Sequence, residues 1–201
     1  MTVALPPSDP ADLASFPAKT LSPDYPSSRL HPVSHDAEWF CTDRDCRFDP
    51  PSGAAFGTCY LAGNPLGAYV EKFGRLRIVT RSLVDQQVLT KLQLRSSLRV
   101  ADLTDRSIVG RWNLDAEIWA GGDYDRCHLW AAAFFDAGFA GVWYSTRHSV
   151  DGDLHALAIF GKPGLDPDAF LTVTSSPIPD DVVEAAEDRF GITVLPATPI
   201  V

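Results

Sequence analysis

Basic residues are the scarce class in this chain: 17 lysines and arginines stand against 26 aspartates and glutamates, for a net charge of −9. Binding along a nucleic-acid backbone needs concentrated Lys and Arg, so direct nucleic-acid binding is not expected. A pocket for one small anion needs only one or two cations and stays open. Long hydrophobic runs are missing as well. The most apolar stretch, from Leu129 to Tyr144, is broken by Asp136, Gly138 and Gly141 and is shorter than a membrane-spanning helix requires. The first residues, MTVALPPSDP, have neither the basic start nor the apolar core of a secretory signal. The expectation is a soluble, cytoplasmic protein without membrane contact. Cysteine is sparse too, at four residues. Cys41 and Cys46 are too far apart for a zinc knuckle, and the five histidines form no pair at the spacing of a helical zinc site. Reduced thiols and no metal are predicted.

What is present is an ordinary globular composition, 45% hydrophobic and 21% charged, in a length able to bury a core without disulfides. Residues 1–34 are rich in Pro, Ser and Ala, without helical or strand periodicity. Ordering such a segment costs more entropy than its few large apolar groups return, so an arm, extended or partly disordered, is predicted. A compact domain spans 35–163, and a tail of 164–201 carries one helix packed on it. Within the domain, residues 56–61 read as a strand running into Asn64-Pro65, a helix start that Gly74 would end. Leu66, Val70 and Phe73 form the helix's apolar stripe. Glu71 lies off that stripe, beside the small residues Gly67 and Ala68, which leave open space next to a carboxylate.

Short strands are expected at 76–80, 88–94 and 98–103. Residues 104–122 give no clear pattern beyond a turn at Gly121-Gly122. A buried helix follows over 123–137, closed by Gly138, then two strands at 141–145 and 154–160 around a polar loop of 146–153. The tail helix spans 180–190. The fold class is α+β, with a small mixed or antiparallel sheet flanked by helices.

Four stretches carry chemical promise. CRFDPP sets Arg47 before a Pro-Pro turn, and FGTCYLAGNP puts Tyr60 on a strand. GAYVEKFG puts Glu71 on the next helix, and GFAGVWYSTR ends a strand at Ser145, with Arg147 just after. Read alone, Arg47 pairs equally well with Asp45 or Asp49 at the surface, Glu71 suits a solvated helix face, and Ser145 suits a strand-end cap. His128 and His155 are simplest as packing residues. Tyr144 alternates to the strand face opposite Ser145 and reads as core. No His and Asp can be assigned around Ser145 as a triad.

In this order and with these flanks, the stretch from Trp39 to Phe160 resembles the RES domain, a family named for an Arg, a Glu and a Ser. The resemblance implies a compact fold similar to ADP-ribosyltransferase toxins and a toxin that consumes NAD as substrate, with no other cofactor. Cleavage of the nicotinamide–ribose bond, by hydrolysis or phosphorolysis, is the implied activity. It further implies that Arg47 holds a phosphate or the nicotinamide-side ribose, that Tyr60 stacks on nicotinamide, and that Glu71 contacts a ribose hydroxyl and stabilises the developing cation. Ser145 would bond substrate or orient Glu71, and Arg147 would assist with phosphate. A cognate antitoxin of Xre type is the implied partner, in a homo-oligomer or a toxin–antitoxin hetero-oligomer. The competing readings are transfer of ADP-ribose to a protein, a non-enzymatic interaction module, and metal-dependent hydrolysis through Cys and His. Tyr124, Cys127 and His128, where family members often carry Thr or Gln, receive no site role.

Overall fold

A computed structural model of the protein describes residues 3–149 and 152–196. The first two residues, positions 150 and 151 of the polar loop, and 197–201 of the tail lie outside the described residues. The chain opens with a single 3-10 turn at Pro10–Ser15, capped by the Asp9 side chain. Strands β1 (Ala18–Leu21), β2 (Ser27–Pro32), β3 (Trp39–Phe40) and β4 (Gly57–Ala62) follow. Helix α1 (Pro65–Phe73) starts as its sequence dictates: the Asn64 side chain accepts from Gly67 N–H at 2.7 Å, and Pro65 takes the position whose missing donor costs nothing. Next come β5 (Ile78–Thr80), α2 (Arg81–Asp85), β6 (Gln87–Leu94) and β7 (Leu98–Asp102). The stretch without a clear sequence pattern folds into two short helices, α3 (Ser107–Trp112) and α4 (Glu117–Ala120). Helix α5 (Tyr124–Asp136) is capped by Asp123, and Gly138 turns the chain after it at φ +81°. The remainder is β8 (Gly141–Ser145), β9 (His155–Gly161), β10 (Gly164–Leu165), β11 (Phe170–Ser176), α6 (Asp180–Phe190) and β12 (Thr193–Leu195).

Eight strands form one mixed sheet in the order β1-β7-β8-β9-β4-β2-β6-β11. All neighbours are antiparallel except β7 and β8. A parallel pair needs a long crossover, and α3, α4 and α5 supply it, so these helices lie over one face of the sheet. That face buries Val142, Tyr144, Ala156 and Ala158 against Trp130 and Phe134 of α5. The opposite face buries Trp143, Leu157, Ile159 and Val100 with Phe40 and Phe170. Helices α1 and α6 share a third cluster, with Val70 and Phe73 against Val182, Val183 and Ala186. The mixed sheet flanked by helices is the predicted class, although the sheet is not small.

Its size comes from segments that the sequence reading placed outside the domain. The described part of the predicted arm, residues 3–34, is not loose. β2 lies inside the sheet between β4 and β6, and β1 closes one edge. Three of the segment's large apolar residues are spent on burial: Leu13, Phe16 and Leu21 are at most 3% exposed. The Trp130 indole N–H also donates to Ala4 O at 2.7 Å. The entropy of ordering the segment is therefore opposed by backbone pairing and by a handful of fully used side chains. Likewise the tail adds more than its one helix, since β11 forms the other sheet edge and β12 pairs in parallel with β5.

Phe16 meets the rings of Trp112, Trp130, Phe134 and Phe139, with the Phe134 centroid at 4.8 Å. Emptying that position leaves a cavity the aromatic cluster cannot close. Phe16→Ala is expected to cost about 3–5 kcal/mol in urea unfolding. A loss below ~1 kcal/mol would return the leader to the status of a dispensable arm.

Candidate functional site

A cleft of about 390 Å³ opens on the helix-covered side of the sheet where β4, the N-terminal half of β2, α1, the segment before Phe48 and the start of α5 converge. It gathers Arg47, Tyr60, Glu71 and Arg147, four of the five residues singled out in the sequence, although they come from four separate segments.

Segment 46–49 is clamped onto β4. The Asp49 carboxylate, fully buried, accepts from Cys46 N–H at 2.9 Å and from the Tyr60 hydroxyl at 2.9 Å. Tyr60 in turn accepts from Phe48 N–H at 2.8 Å, and the Thr58 hydroxyl donates to Phe48 O at 2.8 Å. Burial, followed by the Asp49 charge, pushes the Tyr60 phenol well above its ordinary value, so it stays protonated. Tyr60 thus offers the cleft a fixed ring with its polar end already committed. Arg47 is not a surface partner of Asp45 or Asp49. It is 8% exposed, donates to Gly121 O at 2.8 Å, and stacks over the Tyr124 ring at 4.9 Å.

Glu71 sits on the cleft-facing side of α1. Ala68, one turn earlier, lines the cleft as expected, whereas Gly67 faces β4, where an added Cβ would crowd Ala62. Backbone N–H of Arg147 donates to Glu71 Oε1 at 3.2 Å, which ties the loop after β8 to the helix. The carboxyl surface is open to the cleft, yet protein surrounds the group on most sides. That desolvation raises its pKa, and the Arg147 N–H and the charges of Arg47, Arg147 and Arg75 pull it back down.

Ser145 is the residue that the fold does not bring in. It is half-buried at the end of β8, opposite His155, and is absent from the cleft lining. Strand alternation explains this: Val142 and Tyr144 point to the helix-covered face, so Ser145 goes with Trp143 to the other. Tyr144, read from sequence as core, is 4% exposed and also forms part of the cleft wall.

Several lining residues were missed by sequence reasoning. Arg75 lies in the turn after Gly74, beyond the end of α1, so helical spacing from Glu71 gives no signal for it. It also bonds the Tyr124 hydroxyl, so the Tyr124 ring has two guanidinium groups near it, with Arg75 at 5.9 Å from its centroid. Tyr124 opens α5 after the Asp123 cap, but nothing local places it beside Arg47, 77 positions away. Trp119 comes from α4, in the stretch without a readable pattern. His148 lies across the end of α1, where a Cβ on Gly74 would overlap its ring.

Comparison with known proteins agrees with this architecture. The sequence profile of the RES domain matches residues 28–180, which extends beyond Trp39–Phe160 on both sides to take in β2 and β11. No curated protein matches significantly. Among solved structures, the crystal structure of the M. tuberculosis MbcT–MbcA toxin–antitoxin complex contains a similar fold, with a TM-score of 0.62 and 17% sequence identity. The likeness covers 82% of this chain and 90% of that chain.

The raised pKa of Glu71 has a definite sign for stability. A folded value above the unfolded one means that the native state binds the proton more tightly. Stability from this group is fully present below the ordinary carboxylate range, near 4.3, and is lost as pH rises through the folded value. At pH 7 the ionised group therefore works against the fold, and Glu71→Gln removes it while keeping an acceptor for Arg147 N–H. Thermal unfolding of Glu71→Gln is expected at an equal or higher temperature than the parent at pH 7, with the difference shrinking at pH 4. A clear drop at pH 7 would make Glu71 a structural residue.

Proposed function

The chain belongs to the RES-domain family, and on that premise we propose that it is a toxin that cleaves the nicotinamide–ribose bond of NAD and is neutralised by a cognate antitoxin of Xre type. The observation that carries the reading is the gathering, in one cleft, of Glu71, the Tyr60 ring and the buried Arg47 stacked on Tyr124. A fold shared with the toxin of the MbcT–MbcA complex supports the partner half of the proposal.

The chemistry follows from what the reaction needs. The C1′–N bond breaks with its electron pair passing to nicotinamide, which leaves neutral, and the ribose becomes oxocarbenium-like. Glycosidases meet such a transition state with a carboxylate. Glu71 fills that role, engaging a ribose hydroxyl and the growing positive charge. Arg47 offers a planar fork for a phosphate or ribose oxygen. It is held ready by Gly121 O and the Tyr124 ring, so little ordering remains on binding. Tyr60 supplies an aromatic wall for the nicotinamide ring. Water or phosphate then takes the ADP-ribosyl group at C1′, and the proton of a water acceptor goes to solvent. Ser145 is left out of this machinery, because its strand face looks away from the cleft.

The direct test is to incubate the purified protein with NAD, with and without phosphate, and to separate the products. Nicotinamide with ADP-ribose means hydrolysis, and nicotinamide with the 1″-phosphate means phosphorolysis. No nicotinamide from folded, antitoxin-free protein would sink the reading in favour of protein modification or a binding module.

Three variants and one profile sharpen it. Glu71→Gln is expected to lower turnover by about 10²–10³, the usual loss when one electrostatic stabiliser is removed. Ser145→Ala is expected to change turnover by less than about threefold, below ~1 kcal/mol of barrier. Arg47→Lys keeps the charge but loses the fork and the stacking, and a rise in KM is expected. Because the ionised Glu71 is the active form and its pKa is raised, activity falls on the acid side at a pH above the ordinary value of about 4.3. A rate that is flat down to pH 4 would remove Glu71 from the reaction.

A further inference from the structure

The loop that carries Arg47 also brings a second carboxylate to the cleft. Among the described residues, the acidic side chains of the cleft lining are Asp45, from this loop, and Glu71, from α1. We propose that Asp45 is the general base for the acceptor water and thereby decides which acceptor takes the ADP-ribosyl group. The inference rests on the NAD reading and assigns a further residue of that reaction.

Asp45 is held from both sides. Before it, Arg44 has φ +66°, in the left-handed region that residues with a side chain rarely adopt, and its guanidinium pairs with Asp125 of α5 at 3.0 Å. After it, both backbone groups of Cys46 are engaged: the N–H with the Asp49 carboxylate and the C=O with His128, each at 2.9 Å. Backbone strain of this kind gathers at functional sites, and here it stands directly before the cleft carboxylate. The side chain itself is uncommitted. It is exposed, and among the described residues no cation lies within ion-pair distance of it. Arg47, two positions on, turns instead to Gly121 O and the Tyr124 ring.

The reaction leaves one task for such a group. Glycosidases that use water directly employ two carboxylates, one as acid for the leaving group and one as base for the water. Nicotinamide leaves as a neutral ring and needs no acid. Glu71, tied to Arg147 N–H, faces the ribose cation. As the C1′–N bond breaks and a water lone pair bonds to C1′, Asp45 takes the water proton and passes it to solvent at the cleft mouth. A phosphate anion needs no base, and the Asp45 charge repels it. The same carboxylate therefore speeds attack by water and disfavours attack by phosphate.

The test is the product ratio in one mixture of NAD and inorganic phosphate. ADP-ribose and its 1″-phosphate are quantified for the parent, Asp45→Asn and Asp45→Glu, with Asp43→Asn, outside the cleft lining, as the charge control. Both products come from the same enzyme molecules, so their ratio does not depend on the folded fraction. Asp45→Asn is expected to lower ADP-ribose relative to the 1″-phosphate by about tenfold or more, where general-base catalysis contributes roughly 10²–10⁴, with partial return in Asp45→Glu. An unchanged ratio overturns the assignment and leaves the NAD reading standing. An equal change in Asp43→Asn also overturns it, since net charge would then suffice. If the parent forms ADP-ribose alone, kcat for hydrolysis decides: a fall of about tenfold in Asp45→Asn at an unchanged thermal midpoint supports the base, and a rate within about twofold of the parent overturns it. A parent that forms the 1″-phosphate alone has no water step and overturns it too. A parent that releases no nicotinamide fells the NAD reading itself, and the role of Asp45 falls with it.

Discussion

The arrangement of the cleft depends on a buried carboxylate that forms no ion pair among the described residues. Asp49 has no exposed surface, and its burial raises its pKa, while the Cys46 N–H, the Tyr60 hydroxyl and the field of His128 oppose the rise. A carboxylate in that position is tolerated because each of its oxygens accepts a hydrogen bond. The donors are the backbone before Arg47 and the hydroxyl of the strand tyrosine. Asp49 thus fixes the loop and the ring in one step, and it is the reason why Arg47 and Tyr60 have a set relation to each other. His128 closes the same loop from the other side, donating from Nε2 to Cys46 O at 2.9 Å, and Arg44 pairs with Asp125 at 3.0 Å. A packing histidine in the sequence reading turns out to be a positioning one.

The second wall is a consequence of topology. The parallel pairing of β7 with β8 obliges the intervening chain to cross the sheet, and it does so as α3, α4 and α5. The crossover ends by setting Gly121, Tyr124 and Trp119 over the loop that Asp49 holds. Arg47 spans the two walls, bonded to Gly121 O and stacked on Tyr124. Closing the cleft therefore means closing contacts between residues distant in the chain, so its geometry depends on the complete sheet. The leader takes part in that requirement, because Phe16 packs on the same Trp130 and Phe134 that hold α5 down.

What the sequence makes legible here is local. Asn64-Pro65, Asp123 and Gly138 mark helix ends through their own backbone chemistry, and α1, α5 and α6 lie where those signals put them. The strand alternation in β8 separates two faces correctly. It cannot say which face meets the cleft: Tyr144 is core, as its alternation predicts, and also lines the cleft wall, while Ser145 lies on the other face. The leader was illegible for a different reason. β1 has one buried residue in four, and β2 carries Arg29 and His31, whose polar atoms are satisfied by Ala37 O and Trp39 O and by Thr90. Periodicity registers hydrophobicity, and a strand held by edge pairing and polar contacts has little of it. Arg75 lies just past the end of α1, where helical spacing from Glu71 no longer applies. Tyr124 became visible only through a contact across 77 residues.

The cleft also explains how an acidic protein can carry a basic site. Each arginine lining it would be cheaper in open water than beside three others, and Glu71 would be cheaper ionised in bulk than among so much protein. Neighbouring charges partly cancel these costs, since the arginines draw down the pKa that burial raises on Glu71. The remainder must be met by packing elsewhere, by the aromatic cluster around Phe16 and by the shared core of α1 and α6. A site held together against its own repulsion is poorly complemented by water and well complemented by an anion that carries a cation at one end. The nicotinamide ring beside Glu71 and the phosphates along the arginines would each lower the energy of the group they face, so the proposed preference for a dinucleotide follows from the same charges.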